Sequence, residues 1–282
     1  MLIATSTADL ITDLDHLRGT SNEQSGPRKS VSLVVTSGDL HAGPRSVIKA
    51  AHSASDVVVV AITPNPHMAH RNLVATAQFK DTSLVDQARI DLLFVPSEQE
   101  FLHQQLPSAF SLRLPQGYPI DLDKNYLEQT LTLNLSFYNI VNPDVIVYGE
   151  RKYIEYRLLR QLVTDLSIRA QVHCLSTVRA GDGLALCSNN GKLTVSERSR
   201  APILYQTLNN VIHALRTGAR TFEKLKTSAR IALKRAGFHI DSFAIYDDAN
   251  LSAAQADTHE FRIIGDTLLG SHRLHDNMGI RL

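Results

Sequence analysis

Gly38-Asp39-Leu40-His41-Ala42-Gly43-Pro44 separates two apolar runs, Val31-Ser32-Leu33-Val34-Val35 and Asp56-Val57-Val58-Val59-Val60-Ala61-Ile62. The pattern predicts a strand, a glycine-rich turn carrying one histidine, a helix and a second strand. Ser46–Ser55 supplies the helix, with Val47, Ile48, Ala50 and Ala51 on one apolar face. An α/β protein builds a phosphate site this way. Glycine lets backbone come close to a ligand, and the N–H groups opening the next helix meet the anion. His41 adds a donor that can follow charge developing on a phosphate.

Working outward, the Val57 run is apolar on both faces, as a central parallel strand is. Its exit, Thr63-Pro64-Asn65-Pro66, cannot extend the strand and reads as a turn at the carboxyl end, where ligands of open α/β sheets collect. A short amphipathic helix is expected over 6–18 and a polar loop over Gly19–Ser30. Further strands are expected at Asp91–Pro96, Asp144–Tyr148 and Val172–Val178, with helices over 124–141 and from Tyr153 to Leu166. The second of these helices would bury Ile154, Leu158, Leu159, Leu162 and Val163. At least four strands then alternate with helices, which favours α/β architecture with a doubly wound parallel sheet. The tail changes texture: helices over 196–216 and 220–236, then strands at Ser242–Tyr246 and Phe261–Ile264. The expected boundary lies near residue 180, giving a Rossmann-like domain over 1–179 and a small C-terminal α/β lid domain over 180–282.

The 282 residues are 43% apolar, enough for a sizeable core in one or two domains. With 29 basic and 28 acidic residues the net charge is +1, so nothing global points to nucleic acid or an anionic membrane. No long apolar run predicts a transmembrane helix. The start, Met1-Leu2-Ile3-Ala4, lacks a basic flank and does not read as a signal peptide. The two cysteines, Cys174 and Cys187, sit in unrelated contexts, and a cytoplasmic protein with free thiols is expected.

Taken in order, these pieces resemble the pantothenate synthetase (pantoate–β-alanine ligase) family along nearly the whole chain. Its PTMGALHxGH motif looks like Val35-Thr36-Ser37-Gly38-Asp39-Leu40-His41-Ala42-Gly43-Pro44, and its FVNP-x-Q strand end like Ile62-Thr63-Pro64-Asn65-Pro66-His67-Met68. Its LFNIVxPD-xxxFGEKDxQQ block is similar to Phe137-Tyr138-Asn139-Ile140-Val141-Asn142-Pro143-Asp144 followed by Tyr148-Gly149-Glu150-Arg151-Lys152-Tyr153-Ile154-Glu155. Its TVRExDGLAxSSRN block resembles Thr177–Asn190, and its terminal TRLIDN looks like His272–Asn277. The resemblance implies an HxGH nucleotidyltransferase-type fold and an activity in which ATP and Mg²⁺ activate a carboxylic acid as an acyl-adenylate, which an amine then captures. It also implies a homodimer formed through the N-terminal domain.

Carried over position by position, the resemblance makes His41 and Arg151 the candidate catalytic residues. Nucleotide contacts fall to Ser37, Gly38, His41, Gly43, Gly149, Lys152, Val178, Ser188 and Asn189. The acid pocket falls to Thr36, Asn65, Met68, Asn134 and Glu155; no metal ligand is assigned. Several positions depart from the pattern. The second histidine of HxGH is Pro44, the lysine and aspartate of GEKD are Arg151 and Lys152, and the SSRN arginine is Asn189. The substrate-binding glutamines fall at Met68 and Glu155, and an apolar pocket residue at Asn134. Pro44 suits a first helical position but cannot donate to phosphate. A donor of that kind is worth roughly 3 kcal/mol of transition-state stabilisation. Glu155 would repel a carboxylate. The expectation is therefore a divergent ligase joining a small carboxylic acid to an amine, rather than ordinary pantothenate synthesis.

Plainer readings stand beside these. His41 can be a local hydrogen-bonder, Asp182-Gly183 a simple turn and Cys187 a small buried residue. The His67/His70 pair lacks a carboxylate at helical spacing, which leaves it a weak metal signal. A non-catalytic homologue that binds a nucleotide or metabolite, and an ATP-independent condensing enzyme in the same cleft, remain as alternatives.

Overall fold

The computed structural model of the protein describes residues 1–19, 27–36, 41–63, 89–96 and 124–282. These divide into two compact units, the first ending at Ser176 and the second running from Thr177 to Leu282. The first contains β1 (Leu2–Ala4), α1 (Thr7–Arg18), β2 (Val31–Thr36), α2 (Ala42–Ala54), β3 (Val57–Ile62) and β4 (Leu92–Phe94). It continues through α3 (Lys124–Val141), β5 (Val145–Gly149), α4 (Tyr153–Asp165) and β6 (Gln171–Leu175). The six strands form one sheet in the order β1-β4-β3-β2-β5-β6, and every pairing is parallel. The doubly wound sheet expected from the sequence is present.

Alternation along β5 distributes its side chains between two helical layers. Val145 and Val147 share a core with Ile48 and Ala51 of α2. Ile146 and Tyr148 turn the other way, where the Tyr148 hydroxyl donates to Asn134 of α3 at 3.2 Å. On that side Phe94 packs edge-on against Phe137, their ring centroids 5.9 Å apart. Arg18 ties α1 into the layer by donating to the carbonyls of Val141, the last residue of α3, and Asn142 just beyond it, at 2.6 Å each. A cation is favoured there by the helix dipole.

The amino edge of the sheet repeats one device. The residue just before β3, β4 and β5 is an aspartate, and each accepts a backbone N–H at the neighbouring strand. Asp56 binds Ser30 N–H at 2.9 Å, Asp91 binds Val58 N–H at 2.8 Å, and Asp144 binds Val31 N–H at 2.8 Å. These clasps hold the strands in step. Val31 pairs with Val57 and Thr36 with Ile62, while Leu33 pairs with Ile146. Continuing that register sets Thr36 level with Gly149 at the carboxyl edge.

Several elements differ from expectation. Helix α2 starts at Ala42 rather than Ser46, because His41 caps it. Pro44 is thus its third residue, not its first, still within the opening turn whose N–H groups have no helical partner. The Val172–Val178 strand stops at Leu175. Leu158 and Leu162 are only half-buried, and Tyr153 and Tyr156 take the inner positions instead. The N-terminal Leu2-Ile3-Ala4 forms an edge strand on β4, too short to carry a period.

The second unit holds α5 (Val195–Arg200), α6 (Ile203–Arg216), α7 (Phe222–Arg235), β7 (Phe238–Asp247), β8 (Glu260–Leu269) and β9 (His272–Arg281). The single helix expected over 196–216 is broken at Ala201-Pro202, since proline brings no N–H to continue α5. The strands make an antiparallel three-stranded sheet, β7-β8-β9, so the expected order of helices followed by strands holds, with a third strand added. Its third strand escaped notice because Asp276 and Asn277, both polar, are buried within it.

Burial works against the Asp144 carboxylate, but the bonds from Arg28 and Val31 N–H and the charges of Arg28 and Arg18 hold its pKa below the ordinary carboxylate range. The Ser30 hydroxyl and backbone do the same for Asp56. A carboxyl held low contributes stability above its unfolded pKa, near 4, and loses it as pH falls through the native value. Asp144→Ala is expected to cost about 1–2 kcal/mol at neutral pH, with the difference from wild type shrinking below about pH 4. Urea titrations at stepped pH read both.

Candidate functional site

The carboxyl edge of the first unit gathers the sequence-predicted residues that the structure describes there. Thr36 ends β2, half-buried, and its carbonyl accepts Thr63 N–H at 2.8 Å. His41 is the N-cap of α2: its Nδ1 accepts Gly43 N–H at 3.1 Å. That bond needs the Nδ1 lone pair, so the ring proton sits on Nε2 and the outer nitrogen is a donor. Gly43 therefore spends its N–H on the imidazole, and Pro44 has none, which leaves the opening turn of α2 poor in backbone donors.

Gly149 ends β5 in ordinary extended backbone, φ −88° and ψ 130°. A Cβ there would lie 3.6 Å from Val47 Cγ2, an ordinary contact. Neither backbone conformation nor protein sterics demands glycine at this position. The 3₁₀ turn Glu150–Lys152 follows directly, then α4. Arg151 and Lys152 are half-buried in that turn, and Lys152 Nζ donates to the Tyr126 hydroxyl of α3 at 3.5 Å. Glu155 lies in the first turn of α4.

On the α3 side a polar stripe runs through the helix at every fourth residue: Tyr126, Thr130, Asn134 and Tyr138. Asn134 is 1% exposed; its Nδ2 donates to the Thr130 carbonyl at 2.7 Å and its Oδ1 accepts the Tyr148 hydroxyl. Tyr138 is buried too, and its hydroxyl has no hydrogen-bond partner among the described residues. Burial, then the nearby Tyr138, Glu155 and Tyr126, push the Tyr148 phenol well above its ordinary range. Burial alone raises Tyr138. Both phenols are neutral at any physiological pH. Sequence reading found Asn134 but missed Tyr126, Tyr138 and Tyr148. The period-four polar spacing, and the phenylalanines that the quoted family pattern has where this chain has Tyr138 and Tyr148, were the available signals.

The remaining candidates lie elsewhere. Val178, Ser188 and Asn189 belong to the second unit. The Val178 carbonyl accepts Leu186 N–H at 2.9 Å, Ser188 opens an exposed 3₁₀ turn, and Asn189 Nδ2 donates to the Arg273 carbonyl at 3.1 Å. Ser37, Gly38, Asn65 and Met68, with His67 and His70, lie outside the described residues. Among the described residues no group of three or more His, Cys, Asp or Glu converges, and no helix is long and apolar enough to cross a membrane. Cys187 is half-buried rather than buried, and its thiol donates to Asn190 Oδ1 at 2.8 Å.

Asp182-Gly183 is a structural turn. Asp182 accepts Leu184 N–H at 3.2 Å and pairs with Arg198 at 2.5 Å, and Gly183 has φ +90°. Beside it Arg179 donates through both terminal nitrogens to Asp276, at 2.6 and 2.9 Å, and lies 4.5 Å from the Tyr205 ring centre. The TVR and terminal blocks of the sequence thus meet in one partly buried bidentate pair.

The Pantoate-beta-alanine ligase family model matches residues 9–279. A pantothenate synthetase of Pseudomonas entomophila (strain L48) is 32% identical over 278 residues, covering 94% of this chain and 95% of that protein. One from Ectopseudomonas mendocina (strain ymp) is 33% identical over 279 residues, covering 95% of this chain and 97% of that protein. The crystal structure of pantothenate synthetase from Thermus thermophilus superposes with a TM-score of 0.81 at 25% identity, covering 99% of each chain.

A Cβ on Gly183 would fall 2.1 Å from the Tyr205 ring, whereas one on Gly181 meets nothing within 4 Å. Gly183→Ala is expected to destabilise by at least about 2 kcal/mol, and Gly181→Ala to stay within roughly 0.5 kcal/mol. Denaturant midpoints measure both.

Proposed function

Because the chain belongs to the pantoate-beta-alanine ligase family, whose members are ATP-dependent and form an amide bond, we propose that it joins a small carboxylic acid to an amine through an acyl-adenylate. We further propose that the acid is not the family's usual one. The observation that carries this reading is the carboxyl edge of the parallel sheet, where His41, Gly149 and the Arg151-Lys152 turn share neighbouring strands.

In the first step a carboxylate oxygen attacks the α-phosphorus of ATP and pyrophosphate leaves. In the second the amine attacks the acyl carbon, AMP leaves with the bonding pair, and the nitrogen gives up its proton. The donor set suits these steps. The Nε2–H of His41 would hold a phosphate oxygen, fixed in aim by the cap on Nδ1. Arg151 would fork across two phosphate oxygens, and Lys152 would add a point charge. Bare backbone at Gly149 would let the nucleotide lie close. Ser37, Gly38 and Gly43 would border it. Magnesium, when bound with the nucleotide, neutralises phosphate charge through phosphate oxygens and water. Thr36, Asn65, Met68, Asn134 and Glu155 would shape the acid pocket. The negative Glu155 argues against a second carboxylate beside it and for a neutral or amine-bearing group.

Pro44 and the engaged Gly43 N–H favour a second reading, a homologue that binds a nucleotide without turning it over. Association as a homodimer in the cytoplasm completes the proposal. The edge strand β6, where Gln171, His173 and Cys174 are exposed, supports it as a surface for a second copy.

A pyrophosphate-release screen over small acids and amines with Mg·ATP is expected to find acid-dependent release. His41→Asn keeps an N-cap acceptor, so it should melt within about 2 °C of wild type while release falls at least roughly 100-fold. Tight ATP binding with no release for any acid would favour the binding-only reading. Release undiminished in His41→Asn would overturn the role given to the imidazole.

A further inference from the structure

Helix α7 has two faces. Phe222, Leu225, Ala229 and Leu233 pack into the core of the second unit. At helical period the opposite line runs through Ile231, which is 46% exposed. Lys224 lies two turns before it, and Thr227, Lys234 and Arg235 lie one turn to either side, all exposed. The other charges of α7 are answered within the unit: Glu223 pairs with Lys226 at 2.5 Å, and Arg230 donates to the Phe243 carbonyl at 3.2 Å. Lys224, Lys234 and Arg235 have no ion pair among the described residues.

A single exposed isoleucine is ordinary, and cations in a last turn suit the helix dipole. Lys224 is different, because the dipole disfavours a cation in an opening turn. An apolar centre inside a charged rim is the anatomy of a docking face.

The same chain carries a surface of opposite sign. Helix α1 bears Asp9, Asp13 and Asp15, while its one arginine, Arg18, is buried. Asp9 and Asp15 are exposed, and Ile11, also 46% exposed, lies one turn from Asp15. Asp9 and Asp13 have no ion pair among the described residues. The neighbouring strand β1 adds Ile3, 54% exposed. Each helix thus shows an outward isoleucine beside unanswered charge, negative on α1 and positive on α7. An anionic membrane or a nucleic acid would answer the cations of α7 but has no use for Ile231 or for the acidic helix.

We propose that α7 of one copy of this chain docks on α1 of a second copy, with the isoleucines inside and the lysines and arginine opposite the aspartates. The inference rests neither on the ligase reading nor on β6, which lies at the other edge of the sheet from β1. The contact is small and its charges are open to solvent, so the association is weak and screened by salt. Mutual docking closes a pair and one-way docking builds a chain; either raises the mass at low salt.

Sedimentation velocity reads that mass. Wild type is expected to self-associate at least about 10-fold more tightly in roughly 20 mM salt than in roughly 300 mM. Lys224→Glu with Arg235→Glu should lose this salt-sensitive step, and so should Asp9→Lys with Thr12→Lys. Mixed in equal amounts, the two double variants should recover it, because the unaltered α1 of one meets the unaltered α7 of the other. Recovery also rules out misfolding as the cause of either loss. Ile231→Ser leaves every charge in place and should weaken the association at least about threefold. A mass indifferent to salt, association that survives either double variant, or a mixture that stays apart overturns the proposal. Loss in the α7 variant alone assigns the basic face to a different anionic partner and overturns it as well.

Discussion

The aspartate clasps at the amino edge of the sheet govern everything at its other end. Parallel strands slide easily in principle, because their hydrogen bonds repeat evenly along their length. Here Asp56, Asp91 and Asp144 each pin a backbone N–H at the adjacent strand. Once that edge is fixed, the carboxyl ends of β2 and β5 come level. The two short segments to which the proposed site falls, the cap of α2 and the turn after β5, therefore follow strands that end level. A slip of one residue would also exchange the faces of β5 and turn Tyr148 away from Asn134.

That exchange of faces matters because β5 packs against α2 on one face and α3 on the other. Gly149 looks towards α2, where a Cβ on it would meet Val47. One residue earlier, Tyr148 looks towards α3 and a polar, neutral cluster. The charged groups Arg151, Lys152 and Glu155 follow within the same turn of chain. The two faces of β5 are thus separated by the thickness of a sheet, yet joined by a single peptide bond.

Much of this was legible in the sequence. The Val31 and Val57 runs, with glycine and histidine between them, gave the parallel sheet and the position of His41. The ordered motifs gave the family. What escaped has physical causes. His41 extends α2 by four residues because a side-chain cap replaces backbone bonds, and apolar periodicity does not register a cap. Strand β9 looked polar because Asp276 and Asn277 are buried through partners, Arg179 and Arg262, distant in sequence. Asp182-Gly183 read as a simple turn and is one, and its glycine answers to the Tyr205 ring. The tyrosines of the α3 cluster drew no attention because phenylalanine and tyrosine look alike to a hydropathy reading. Only burial reveals the cost of the added oxygen.

The central claim is that a nucleoside triphosphate binds at this carboxyl edge, with its phosphates between the imidazole of residue 41 and the guanidinium of residue 151. A crystal structure with magnesium and a non-hydrolysable ATP analogue tests it most directly. The account predicts phosphate oxygens within hydrogen-bond distance of His41 Nε2 and Arg151, with the chain passing closest to the nucleotide at Gly149. A nucleotide seated against any other edge, or an empty cleft at saturating analogue, would contradict it.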